Sequence, residues 1–284
     1  MSTDDAPRLR MPDLRFVAVE SLVPHEQHDP QRCGPLVQRL SEQSVLRNPP
    51  IVAALSHDDP RFVILDGANR ATAARAARLP HLLVQVVSYE DPGVRLTTWH
   101  HALTGLSVRE LEGTLATVGG LECAASDLRH AHAVLARREA IAIIAHGADR
   151  AITLHGGAAL DRRNAVLNAV VDAYRTRFRF HRVTSDSLVD AQAEHPEVTA
   201  LVVFPHFEPA EVLELAISGA RLPAGITRHL VSWRALRLNV PLDKLADTDR
   251  TLAEKNRWLD EWLREKVRER QVRFYQEPTV LFDE

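Results

Sequence analysis

Phe62-Val63-Ile64-Leu65-Asp66-Gly67-Ala68-Asn69-Arg70, followed by the run Ala71–Leu79 and Pro80, is the stretch that decides the fold of the first half of this chain. Four consecutive apolar residues make a buried strand, Asp66-Gly67 breaks it, and the alanine- and arginine-rich run that follows favours helix. Pro80 stops that helix, and Leu82-Leu83-Val84-Gln85-Val86-Val87 supplies the next strand. The order strand, turn, helix, strand describes a compact α/β unit that closes near residue 90.

Working outward, Phe16-Val17-Ala18-Val19 reads as a first short strand behind a loose polar tail at residues 1–13. Leu36, Val37 and Leu40 have helical spacing in the stretch Pro35–Leu46, Asn48-Pro49-Pro50 ends it, and Ile51–Leu55 resumes as strand. Thr97–Val118 is mixed in pattern, Gly119-Gly120 marks a loop, and Ser126–Ala145 reads as one long helix. Beyond lie a helix around Ala165–Tyr174, a strand at Ala200–Phe204, and a helix from Pro209 to Gly219 with Glu208 and Glu211 at its positive end. Leu252, Leu259, Leu263 and Val267, with Trp258 and Trp262, form an apolar stripe that predicts a helix docked by one face. The expectation is therefore an α/β (α+β) chain: a tail at 1–13, an N-terminal domain at 14–105, and a C-terminal mixed α/β domain at 106–284.

Composition removes several classes of function. The 284 residues are 45% apolar and 26% charged with net charge −3, ordinary for a globular protein. No basic surplus advertises attraction to a phosphate backbone, so nucleic acid is an unlikely partner. Cys33 and Cys123 are the only cysteines and stand far apart, which argues against a disulfide framework or thiolate metal site. No basic start followed by an apolar run opens the sequence, and no apolar run approaches the roughly 20 residues that span a bilayer. A cytoplasmic address without membrane insertion is expected.

Three constellations bear chemistry. The turn Asp66–Arg70 lies where a strand hands over to a helix, so backbone N–H groups and the positive helix end face an anion. Gly67 allows close approach, Arg70 offers forked hydrogen bonds to phosphate, and Asp66 can hold a divalent metal or orient a hydroxyl. The plain alternative is that Asp66 caps the helix and Arg70 is solvated. The loop Pro24-His25-Glu26-Gln27-His28-Asp29-Pro30 offers Glu26 as a general base, with His25 or His28 to orient it. Its two prolines and a spacing one residue short of HExxH exclude a zinc helix. The turn Leu222-Pro223-Ala224-Gly225-Ile226 precedes Thr227-Arg228-His229, a basic, hydroxyl-bearing triplet suited to a carboxylate or phosphate. Thr97-Thr98-Trp99-His100-His101 alone reads as core plus surface, and His130/His132 and His146/His155 lack ligand spacing.

Together, the Leu-Val-Pro-His-Glu loop, the strand–Asp-Gly-x-x-Arg–helix unit, the Thr-Trp-His segment and the Pro-Ala-Gly-Ile-Thr-Arg turn resemble the free L-serine kinases of the ParB/sulfiredoxin superfamily. The likeness runs from about Leu22 to Leu242. It implies a ParB/sulfiredoxin-like N-terminal domain and transfer of a phosphoryl group from ATP or ADP, with Mg²⁺, to the serine hydroxyl. The product, O-phospho-L-serine, would feed a siderophore or other natural product. By position, Glu26 would be the base, with Asp66 beside it as a second catalytic group. Asp66, Gly67, Ala68, Asn69 and Arg70 would hold nucleotide phosphate and Mg²⁺, and Trp99, His100, Thr227, Arg228 and His229 would bind serine or product. A homodimer is compatible with this pattern. One departure stands out: the signature DGxHR carries Asn69 at its histidine, which keeps a hydrogen bond but no titratable proton. Sulfiredoxin chemistry is excluded because Ala68 occupies its cysteine position. A ParB-like DNA-binding regulator is the rival, resting on Arg129, Arg137 and Arg138 in the stretch Ser126–Ala145.

Overall fold

A computed structural model describes residues 11–27 and 44–275 of the chain. Cys33, His28, Asp29, Pro30, the tail at 1–10 and most of the helix expected from Pro35 lie outside the described residues. In chain order the strands and helices are β1 (Asp13–Ala18), β2 (Leu22–Pro24), β3 (Val45–Leu46), β4 (Ile51–Ala54), β5 (Phe62–Asp66), α1 (Ala68–Ala76), β6 (His81–Val87), β7 (Val94–Thr98) and β8 (His100–Thr104). Then come α2 (Val108–Leu115), β9 (Glu122–Asp127), α3 (Leu128–Ala136), β10 (Ala142–Ala145), β11 (Arg150–His155), α4 (Leu160–Arg175), β12 (Arg179–Val183), α5 (Leu188–Glu194) and β13 (Val198–Val203). The chain finishes with α6 (Pro209–Ile217), β14 (Thr227–Val231), β15 (Val240–Pro241), α7 (Leu242–Ala246) and α8 (Leu252–Arg268). None of these helices is long and apolar enough to cross a membrane.

The chain divides into two compact units, and the division does not fall at one point in sequence. The first takes residues 1–22, 30–94 and 231–284; the second takes 23–29 and 95–230. The sequence reading draws a single break near 105, whereas the C-terminal residues join the first unit. The reason is local. Asn256 on α8 receives the Phe16 N–H at 2.8 Å and donates to the Phe16 carbonyl at 3.1 Å, continuing the hydrogen bonding of β1 with a side chain. Leu259 is fully buried in the first core, with Trp258, Trp262 and Leu263 packed around it. That is the middle of the apolar stripe read from the sequence; its ends, Leu252 and Val267, are exposed.

In the first unit the sheet order is β1-β6-β4-β5-β2. β4, at the centre, runs parallel to β6 and antiparallel to β5, so the strand before α1 lies between β4 and the short edge strand β2. Val63, Ile64, Leu82, Leu83 and Val84 are all buried, which accounts for their near-continuous apolar run.

The second unit is built on a six-stranded sheet, β12-β8-β13-β10-β11-β9. Here the long helix expected over Ser126–Ala145 is not formed. Asp127 ends β9 and caps α3, its carboxylate accepting the His130 N–H at 2.7 Å. The helix stops after Ala136, Arg138 turns left-handed at φ 63°, and Ala140–Ala145 are buried, the last four of them as central strand β10. Alanine-rich composition favours helix, but a wholly buried Ala/Ile run at a sheet centre overrides it. α2 begins with a Ser107/Glu110 capping box, and α6 with Glu208 and Glu211, as the acidic residues at its start suggest.

Candidate active site

In the second unit the segment carrying Glu26 runs beside the turn that leads into β14. Leu222 N–H donates to the His25 carbonyl at 2.8 Å and Gln27 N–H to the Leu222 carbonyl at 2.8 Å, a parallel bridge centred on Glu26. Gln27 is further held by Asn168 of α4 at 3.0 Å. Thus fixed, the Glu26 carboxylate accepts the N–H groups of Gly225 and Thr227, each at 2.7 Å, and the Thr227 hydroxyl. Its side chain is 16% exposed. Three donors converge on it, two of them backbone groups that cost no side-chain entropy to position.

The proton positions around this carboxylate follow from the partners. With the Thr227 hydroxyl hydrogen given to Glu26, the 2.7 Å contact between His25 Nε2 and Thr227 Oγ1 requires Nε2 to donate. His25, Thr227 and Glu26 therefore form a directed chain ending at the carboxylate. The His229 ring stands edge-on to His25 at 5.2 Å. His25, buried, closes the inner side of the cluster.

Gly225 is held from the opposite side. Its carbonyl accepts from His101 Nε2 at 3.4 Å, so His101 Nδ1 must accept from the Tyr174 hydroxyl, 2.6 Å away. His101 is fully buried, stacked on Phe180 at 4.2 Å, and burial, with Arg182 nearby, depresses it to about 3. A neutral imidazole thus braces the turn at every pH above that. Gly225 has φ +75°, and a Cβ there would run into the Arg182 guanidinium. Only glycine leaves the turn room to present its N–H to Glu26.

Strand alternation divides the remaining expected residues. Thr227 and His229 face the Glu26 cluster, while Arg228, between them, lies with its guanidinium 4.6 Å over the Trp99 ring. Trp99 N–H is tied to the Ile226 carbonyl at 2.9 Å. His100 and Arg228 line a cavity of about 760 Å³ with Thr97, Thr98, His132 and Asp186. His100 is 7% exposed; its Nδ1 accepts the Phe204 N–H at 3.2 Å, and burial lowers it to about 4. The structure thus joins Glu26, His25, Thr227 and His229, and sets Trp99, His100 and Arg228 together on the other face of β14.

In the first unit, Gly67 at φ +87° is the N-cap of α1 and no side chain caps the helix. Asp66 therefore does not act as the cap, one of the alternatives open in the sequence. Its carboxylate instead meets two guanidinium groups, Arg70 at 3.3 Å and Arg234. Arg70 is 20% exposed on its side chain and also donates to the Asn48 carbonyl at 2.8 Å, so it is not simply solvated. A Cβ on Gly67 would stand 2.8 Å from Arg70 Nη2, so glycine permits the guanidinium to lie over the turn. Ala68 and Asn69 open the helix. Two guanidinium groups, an uncapped positive helix end and one carboxylate make a net-positive anion cradle. Asp66 Oδ1 makes no hydrogen bond among the described residues, which leaves an oxygen suited to a hard cation.

Sequence reasoning missed Arg234, His101, Tyr174 and Arg182. Each is distant in sequence from what it supports, and although His101 ends the Thr-Trp-His segment, nothing local ties it to Gly225.

The chain is an α/β protein with the fold of solved free serine kinases. Solved structures with this fold include a free serine kinase in complex with AMP, 18% identical, with TM-score 0.71 over 86% of this chain and 98% of that one. A C-terminally truncated SbnI from Staphylococcus aureus is 23% identical, with TM-score 0.71 over 89% and 97%. In sequence the chain is related to the ATP-dependent L-serine kinase SbnI of S. aureus, 24% identical over 240 residues, 83% of this chain and 85% of the relative. It is also related to an ATP-dependent L-serine kinase of Staphylothermus marinus, 28% identical over 97 residues, 34% of this chain and 38% of that one. No family model matches the sequence.

Proposed function

We propose that this chain is a free L-serine kinase that transfers the terminal phosphoryl group of ATP, or of ADP, to the serine hydroxyl. The observation that carries the reading is the Glu26 cluster: a carboxylate fixed by two backbone N–H groups and a hydroxyl, in a chain with the fold of free serine kinases. Related L-serine kinases in sequence support the same activity.

Glu26 accepts the proton of the serine hydroxyl as that oxygen bonds to phosphorus and the bond from phosphorus to the nucleotide's bridging oxygen breaks. The products are O-phospho-L-serine and a nucleotide shorter by one phosphate. The His25–Thr227 chain holds Glu26 in place, and a neutral His101 keeps Gly225 N–H aimed at it. The Asp66–Arg70 turn receives the nucleotide's phosphates, with Arg70 and Arg234 balancing their charge. Asp66 would hold Mg²⁺, which neutralises charge on the phosphate oxygens. Trp99, His100, Arg228 and His229 select the amino acid. Asn69 contributes hydrogen bonding without a proton at the place where the signature has histidine.

The product would supply a pathway to a siderophore or another natural product in the cytoplasm, and a homodimer is compatible with the reading. A DNA-binding regulator loses its basis, because the stretch Ser126–Ala145 is a strand, a short helix and a central strand of one sheet.

Rapid-quench measurement of one turnover tests the assignment. With saturating ATP, Mg²⁺ and L-serine, the wild type should form phosphoserine, and Glu26→Gln should form it at least ~10³-fold more slowly while binding nucleotide equally well. Equal single-turnover rates would remove Glu26 as the base.

A further inference from the structure

We propose that His181, His195 and Glu197 form a binding site for a borderline transition-metal ion of the Zn²⁺ type, separate from the residues assigned to phosphoryl transfer. All three lie in the second unit. They come from three places: His181 from edge strand β12, His195 from the C-terminal end of α5, and Glu197 from the short link into β13. One ligand atom from each lies within 4.8 Å of the other two.

The local geometry accommodates a metal ion. His181 Nε2 and Glu197 Oε1 are 3.1 Å apart. Two ligands about 2.0–2.1 Å from a tetrahedral ion stand roughly 3.3 Å from each other, so this edge already has nearly the required spacing. The second imidazole is stacked on the first at 4.0 Å and 9°, and metal binding requires His195 to rotate about its side-chain bonds so that a ring nitrogen takes the third vertex. Binding replaces the hydrogen that His181 shares with Glu197: the ion takes the Nε2 lone pair and the neutral ring carries its hydrogen on Nδ1.

The backbone beneath is fixed. His195 N–H is bonded to the Ala191 carbonyl at 2.9 Å, and Val198 N–H to the His195 carbonyl at 3.1 Å. Gln192 Nε2 holds the Val198 carbonyl at 2.9 Å, and β12 is registered along β8 with His181 opposite Ala102. His195 also sits where the partial negative charge of the helix end favours a cation. Beside His181 and Glu197 opens a cavity of about 510 Å³ lined by Thr104, Phe178, Arg179 and Phe180, room for water or another ligand to complete the coordination. Two imidazoles and one carboxylate select Zn²⁺, Co²⁺ or Ni²⁺ over Mg²⁺, which prefers an all-oxygen shell. The spacing 181, 195, 197 matches no local metal motif, so only the fold reveals it.

Calorimetric titration of chelator-stripped protein with Zn²⁺, in excess Mg²⁺ at pH 7.5, tests the proposal. One equivalent should bind to the wild type, and His181→Ala and His195→Ala should each weaken binding at least tenfold. Co²⁺ titration should give the visible absorption of a low-symmetry nitrogen and oxygen site, lost in both variants. The three side chains are at least partly exposed, and the melting temperature of each metal-free variant checks that it has folded. No stoichiometric Zn²⁺ binding by the wild type, or unchanged affinity in both folded variants, would overturn the proposal.

Discussion

The carboxylates at Glu26 and Asp66 are both expected to serve one reaction, and the chain treats them in opposite ways. Glu26 is largely buried and receives three hydrogen-bond donors, two of them from the backbone. Asp66, at 39% exposed, meets two arginine side chains, each with its own rotational freedom. The first arrangement is prepared before any ligand arrives. The second is a net-positive cluster of two guanidinium groups on one carboxylate, which a phosphate can take over. Preorganisation suits a proton acceptor, because misplacement directly raises the barrier. Exchangeable ion pairs suit a nucleotide site, because the ligand must enter and leave.

Breaking the Glu26 side should act on chemistry. Thr227→Val removes the hydroxyl between His25 and Glu26 and should lower kcat by about 10²-fold, with nucleotide affinity within twofold. Steady-state kinetics beside nucleotide titration would show the split, and a rise in nucleotide Kd with unchanged kcat would contradict it. Breaking the Asp66 side should act on binding. Arg234→Ala should weaken ADP or ATP by roughly 10- to 100-fold, the scale of one charge-assisted contact of about 1.5–3 kcal/mol, read by calorimetry. Arg234→Lys should recover part of that loss but not its forked geometry.

Smaller effects should appear in stability. Gly225→Ala combines left-handed backbone with the Arg182 clash and should cost about 1–3 kcal/mol, measured by urea unfolding. His100 and His101 are held near 4 and 3 by burial, below the ordinary value of 6.5. The unfolded chain therefore binds protons that the native chain refuses, and stability falls as pH drops below 6.5. Between pH 7 and 5.5 the loss should be about 1 kcal/mol per histidine, and His100→Gln should flatten that slope.

How much of this was legible in the sequence depends on the range of the interactions. The β5–α1 turn could be read directly, because a buried strand, a glycine and an alanine-rich helix are adjacent in the chain. Glu26 and the turn through Gly225 to Thr227 could each be singled out in the sequence, but not the hydrogen bonds between them, which join residues 199 and 201 positions apart. His100 and His101, in a segment that alone read as core plus surface, are both buried and alternate across β8, one lining a cavity and one bracing Gly225. The residues Ser126–Ala145 misled for a physical reason: alanine is helix-forming in isolation, and its small side chain also packs well at the centre of a sheet. Arg234 carried no local signal at all.

Phosphorus NMR of the wild-type protein with Mg²⁺, ATP and L-serine tests the central claim most directly. The γ-phosphate resonance should decay as an O-phosphoserine resonance and the β-phosphate of ADP grow in equal measure, or the corresponding AMP and phosphoserine pair should appear when ADP is the donor. Folded protein that yields no O-phosphoserine signal with either nucleotide would contradict it.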